Sequence, residues 1–129
     1  MDTGQTVGRV ADLMLLADQA ALAAEAAELF AGAAERVVAR TGRFTVALSG
    51  GSTPKLLYAL LATEPYRSRL PWPQTHVFWG DERCVPPGHP DSNFGTAKAI
   101  LLDRVPLRPE QVHRMPAERE DLDAAARDY

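Results

Sequence analysis

The chain has 129 residues, of which 46% are hydrophobic and 24% are charged, and its formal net charge is −3 at pH 7. This composition is typical of a globular protein and excludes disordered and fibrous classes, and the length predicts one α/β domain over residues 1–129. The 17 acidic residues outnumber the 14 basic ones, and no local cluster of Lys and Arg compensates, so nucleic acid is not an expected partner.

The first predicted elements are a short strand over residues 12–16 and a long amphipathic helix over residues 17–40. Along the helix, Ala and other apolar residues recur on one face and charged residues on the opposite face. Gly42 is expected to end it, and its apolar face is expected to cover a sheet. Residues 1–8 are polar and the apolar run at 13–16 is too short to cross a bilayer, so no membrane segment is predicted.

A predicted strand over residues 44–48 leads directly into Ser-Gly-Gly-Ser-Thr-Pro and then into a helix over residues 54–62. Two adjacent glycines let the backbone approach a ligand closely, and Pro54 suits a first helical turn. The free amides and the positive dipole end of such a helix favour a phosphate or a carboxylate. The predicted anion-binding residues are Ser49, Gly50, Gly51, Ser52, Thr53 and, less directly, Lys55.

A simpler interpretation of this segment is a tight connection in which Thr53 is the N-cap and the glycines serve only to reverse the chain. The two common nucleotide-binding fingerprints, G-x-x-x-x-G-K-[ST] and G-x-G-x-x-G, do not fit the segment. The pattern therefore favours a phosphate group over a nucleotide.

The second half of the chain repeats the alternation of strand and helix. A strand is predicted over residues 75–79, a Pro-rich loop over residues 80–90, and a helix capped by Asp91 or Ser92. Residues 112–115 are a candidate third strand, and a last helix is predicted from residue 118 to 129. Strands alternating with helices predict parallel pairing in an α/β layer fold, with ligands at the carboxyl ends of the strands.

The loop after residue 79 carries the second group of candidate site residues. Arg83 can bind a phosphate or carboxylate with two parallel hydrogen bonds, and Asp81 can accept hydrogen bonds from sugar hydroxyls. Glu82 and Asn93 complete the predicted group. Because both loops follow predicted parallel strands, we expect them at one edge of the sheet. The alternative is a solvated surface turn with a weak ion pair among residues 81–83.

The remaining reactive side chains predict little chemistry. Cys84 is the single cysteine, which excludes an internal disulfide and suits a reducing cytoplasm, and we expect its side chain to be buried. His76, His89 and His113 show no metal-ligand spacing, so no metal is predicted.

The two loops together, with Val85-Pro86 and Asp91-Ser92-Asn93 after them, resemble 6-phosphogluconolactonase over the chain from about Asp12 to its end. The resemblance implies a Rossmann-like three-layer sandwich with a mainly parallel sheet, no cofactor, and hydrolysis of 6-phosphoglucono-1,5-lactone to 6-phosphogluconate in the oxidative pentose phosphate pathway. It also implies that residues 50–53 line the phosphosugar site and that Arg83 neutralises substrate charge, with Asp81 the candidate catalytic residue.

The resemblance is incomplete in one respect. Family members carry a further Gly-rich segment with Asp-Gly-His, whose histidine is taken as the general base, and this sequence has no such segment. We therefore expect an amino-terminal portion of the enzyme, with the fold incomplete after Tyr129 and with little turnover. Two alternatives remain: a glucosamine-6-phosphate deaminase or isomerase, disfavoured by Arg83, and a non-catalytic sugar-phosphate sensor of the same fold. The oligomeric state is not predicted.

Overall fold

A computed structural model describes residues 11–129 of the chain. Its helices and strands are α1 (Gln19–Thr41), β1 (Phe44–Leu48), α2 (Ser52–Leu61), α3 (Tyr66–Arg69), β2 (Thr75–Trp79), α4 (Asn93–Ile100) and α5 (Leu122–Asp128). Short 3-10 helices lie at Trp72–Gln74, Leu102–Arg104 and Pro109–Gln111.

The two strands pair in parallel, in the register Phe44↔Thr75 to Leu48↔Trp79. Both strand predictions are confirmed to the residue, and so is the parallel α/β fold. The pairing continues one step further, because the Gly80 amide donates to the Leu48 carbonyl at 3.0 Å. Since the strands are parallel and in step, the loops that follow them leave the sheet at the same edge.

The helices α1 and α2 cover one face of this sheet. The side chain of Asp18 caps α1 by accepting a hydrogen bond from the Ala21 amide, and Gly42 ends the helix with a φ of 76°. The residues of α1 that are fully buried are all alanines, which let the helix approach its neighbours closely: Ala23, Ala27, Ala31 and Ala34. Phe30 adds an edge-to-face ring contact with Phe44 at 5.5 Å.

The opposite face of the sheet is more open within residues 11–129. Thr45 and Ala47 are exposed, and His76 and Phe78 are half-buried. The His113 ring stacks on Phe78 at 4.4 Å, and its Nε2 lies 3.1 Å from Nδ1 of His76. The two imidazoles therefore contact each other on the face that α1 and α2 leave uncovered.

Two predicted elements are wrong in the described chain. Residues 12–16 form no strand, and Leu13 and Leu15 are each 85% exposed, since no neighbouring strand is there to pair with them. Residues 112–115 make only a single parallel bridge, Val77↔Val112. The chain turns after Met115, and Pro116 has no amide to extend a ladder.

Other boundaries differ by a few residues. The last helix begins at Leu122, not at residue 118, because Asp121 is its N-cap and accepts from the Ala124 amide.

Cys84 is exposed, so the expectation of a buried thiol is wrong. None of the helices in residues 11–129 is long and apolar enough to cross a membrane.

Candidate functional site

The first loop, residues 49–53, ends β1 and opens α2. The N-cap of α2 is Gly51, with φ 106° and ψ 170°, and no side chain caps the helix, so the alternative in which Thr53 is the cap is wrong. Among residues 11–129, none accepts a hydrogen bond from the amides of Gly51, Ser52 or Thr53. These donors point out of the start of a ten-residue helix, which is an arrangement that favours an anion.

Tyr58 holds the beginning of the first loop. Its hydroxyl donates to the Ser49 carbonyl at 2.6 Å and accepts from the Ser49 amide at 3.1 Å. The side chain is 3% exposed, and burial raises the pKa of the Tyr58 hydroxyl despite the backbone hydrogen bond that lowers it. The hydroxyl is therefore protonated at neutral pH and donates. Sequence reasoning missed this residue, although its position on the buried side of α2 was the available signal.

The second loop, residues 80–92, is anchored by Glu82. Its carboxylate accepts from the amides of Asn93 at 2.7 Å and Phe94 at 3.0 Å, and from the Ser92 hydroxyl at 3.1 Å. It also accepts from the Arg83 amide at 2.8 Å. Burial opposes the charged form, but these hydrogen bonds outweigh it and lower the pKa of Glu82. This carboxylate is thus an internal anion that binds the start of α4.

Asn93 joins the two loops. It is buried, and its Nδ2 donates to the Asp81 carboxylate at 3.2 Å and to the Asp81 carbonyl at 3.3 Å. Its Oδ1 lies where a Cβ on Gly50 would stand. Gly50 therefore allows close approach of Asn93 at the start of α4, whereas Gly51 allows a positive φ. One glycine serves packing and the other serves backbone conformation.

The cationic candidates are exposed and free. Among the described residues, neither the Arg83 guanidinium nor the Lys55 ammonium has an ion-pair or hydrogen-bond partner. The hydroxyls of Ser49, Ser52 and Thr53 likewise have no partner among residues 11–129. The structure thus brings the first loop, Asp81 and Asn93 together, and it directs Glu82 into the protein.

No cluster of three His, Cys, Asp or Glu side chains able to hold a metal occurs within residues 11–129.

Comparisons with known proteins place the chain in a family. The family model described as glucosamine-6-phosphate isomerases/6-phosphogluconolactonase matches residues 17–129. The 6-phosphogluconolactonase of Nostoc is 48% identical over 102 residues, which are 79% of this chain and 41% of that protein. The chain thus spans less than half of the length of this relative.

Solved structures show the same similarity. The crystal structure of 6-phosphogluconolactonase from Thermotoga maritima matches with a TM-score of 0.78 and 28% identity, over 90% of this chain and 50% of that one. A monomeric glucosamine-6-phosphate deaminase also matches with a TM-score of 0.78, over 90% of this chain and 47% of that one, but with 19% identity. The deaminase shares the Rossmann-like fold alone.

Proposed function

Because the chain belongs to the glucosamine-6-phosphate isomerase/6-phosphogluconolactonase family, we propose that it carries the substrate-binding loops of a 6-phosphogluconolactonase, a hydrolase of the pentose phosphate pathway. The observation that carries the proposal is that two sets of free donors lie on loops at one edge of the sheet. They are the amides of residues 51–53 and the guanidinium of Arg83. A sugar phosphate supplies the negatively charged acceptor for these donors.

Each residue has a role in this proposal. The amides of Gly51, Ser52 and Thr53, together with the hydroxyls of Ser52 and Thr53, hold the phosphate of the substrate, and Arg83 neutralises its charge. Asp81, held by Asn93, orients hydroxyls of the lactone ring. Holding the phosphate far from the bond that breaks lowers the barrier by fixing the ring.

Glu82 takes a different role from the one expected. Its carboxylate already accepts four hydrogen bonds from the protein, so we propose that it positions Asn93 and Arg83 and does not contact the substrate. Lactone hydrolysis also needs a base that activates water, and the general-base histidine expected beyond Tyr129 stays a prediction. The absence of a cofactor and the cytoplasmic location also stay predictions.

The test compares two forms of the protein: the chain alone, and a chimera in which the chain is joined to the remaining carboxyl-terminal part of the Nostoc relative. We expect the chain to bind 6-phosphogluconate and the chimera to release acid from 6-phosphoglucono-1,5-lactone faster than the lactone opens spontaneously. Release of ammonia from glucosamine-6-phosphate by the chimera would support a deaminase instead. Binding of either ligand without turnover by the chimera would support a sensor.

A further inference from the structure

Tyr58 is buried and contacts the first loop through its hydroxyl. It lies on α2, nine residues after Ser49, and its hydroxyl bonds to both the amide and the carbonyl of that residue. A buried hydroxyl that donates and accepts at one residue fixes both peptide groups flanking it.

The consequence concerns the direction of the loop. Leu48 is the last residue paired with β2, and α2 begins at Ser52, so residues 49–51 span a sharp turn between two rigid elements. Tyr58 belongs to α2, and its hydroxyl forms hydrogen bonds with Ser49, the first residue after β1. The same side chain therefore ties the end of β1 to the start of α2, and the amides of residues 51–53 keep a fixed direction relative to the sheet.

A second tyrosine makes the same contact on the neighbouring strand. The hydroxyl of Tyr129 accepts from the Trp79 amide at 2.7 Å and donates to the Trp79 carbonyl at 3.0 Å. Thus each strand is held at its carboxyl end by one tyrosine hydroxyl. Tyr58 is the one that acts on the loop with the unpaired amides.

We propose that Tyr58 is a positioning residue for the phosphate group, which acts by holding Ser49 so that the amides of residues 51–53 converge on one anion. This inference rests on the proposed function, since it names the residue that orders the phosphate-binding loop. Tyr58 does not touch the ligand; its hydroxyl is already used on both sides by Ser49.

The experiment is an amide NMR titration of the whole chain with 6-phosphogluconate and, separately, with inorganic phosphate. Tyr58→Phe removes the hydroxyl and keeps the ring, and Tyr66→Phe is the control, because the Tyr66 hydroxyl bonds to Glu28 on the surface. We expect Tyr58→Phe to weaken both ligands about tenfold, the effect of losing a hydrogen bond or two of ordinary strength. Tyr66→Phe should bind within about twofold of the wild type, and the amide shifts of Val46 and Val77 should stay unchanged in both variants.

The outcomes separate the two proposals. Wild-type affinity in Tyr58→Phe overturns the role of Tyr58 and leaves the proposed function intact, whereas no binding by the wild type overturns the proposed function and the role of Tyr58 with it. If Tyr58→Phe does not fold, amide hydrogen exchange of the wild type decides the question. The Ser49 amide should then exchange far more slowly than the Ser52 amide, and equal rates would overturn the inference.

Discussion

Arg83 differs from the arginines of the described chain whose guanidinium groups form ion pairs. Arg69 bonds to Glu28 and Glu35, Arg114 bonds to Glu118, and the pKa of Glu118 falls to about 2, chiefly because of the hydrogen bond from Arg114. The guanidinium of Arg83 has no such carboxylate among residues 11–129. An exposed arginine on a loop at the same edge of the sheet as free backbone donors is available to an external anion.

Replacement of Arg83 with Ala should therefore weaken phosphorylated ligands selectively. We expect a loss of about tenfold to a hundredfold for 6-phosphogluconate, in line with a charge-assisted hydrogen bond, and little change for gluconate. Titration calorimetry at low salt measures both ligands. The control is Arg40→Ala, which removes the same charge at the opposite edge of the sheet, near the end of α1. Equal loss for both ligands would refute a role in phosphate binding.

Glu82 provides a prediction on pH dependence. Its pKa is lowered in the folded chain, so its stabilising contribution is complete above the ordinary value of 4.5 and is lost as the pH falls through the lower, folded value. Glu82→Gln should reduce the free energy of unfolding by about 1–2 kcal/mol at pH 7, as loss of a helix cap does. Urea denaturation should show this gap shrinking below pH 4.5. Glu120→Gln is the exposed control, and a gap that widened in acid would contradict the sign.

At the scale of elements, the sequence was sufficient where one segment decides its own structure. The apolar runs at Phe44–Leu48 and Thr75–Trp79 predicted both strands and their shared edge. It was insufficient where a distant partner decides. The position of Tyr58 on the buried side of α2 indicated burial but not its hydrogen bonds to Ser49, and no local pattern links Asn93 to Gly50. For Glu82, the residue type was informative but the direction of its side chain was not.

The contact between Gly50 and Asn93 predicts how the two loops depend on each other. Gly50→Ala places a methyl group against the Asn93 side chain, so we expect the second loop to move away and affinity for 6-phosphogluconate to fall about tenfold or more. Gly88→Ala is the matched control, because no atom lies within 4 Å of its new Cβ, and it should bind as the wild type does.

A double variant separates packing from binding at this contact. Gly50→Ala combined with Asn93→Ala removes the clash, so the thermal stability lost in Gly50→Ala should return in part, because the two sites are coupled. Affinity should stay low, since Asp81 has lost the amide that holds it. Additive effects on stability would show that the two side chains do not meet in solution.

At the scale of the whole molecule, the three histidines of the chain are already engaged. His76 and His113 contact each other on the uncovered sheet face, and Nδ1 of His89 accepts from the Asp91 amide at 3.1 Å within the Pro-rich loop. In addition, burial and the nearby charges of Arg43, His113 and Arg108 lower the pKa of His76. No hydrogen bond or ring contact of these imidazoles involves residues 51–53.

We therefore expect the chain alone to bind 6-phosphogluconate while it hydrolyses the lactone no more than about twofold faster than the spontaneous reaction, because positioning without a base leaves the attacking water unactivated. Acid release from freshly prepared lactone, followed in a pH-stat, measures this rate. Asp81→Asn should leave the rate of the chain unchanged. If the chain instead accelerates hydrolysis strongly and Asp81→Asn abolishes the acceleration, Asp81 is the base and the two loops are a complete catalytic site.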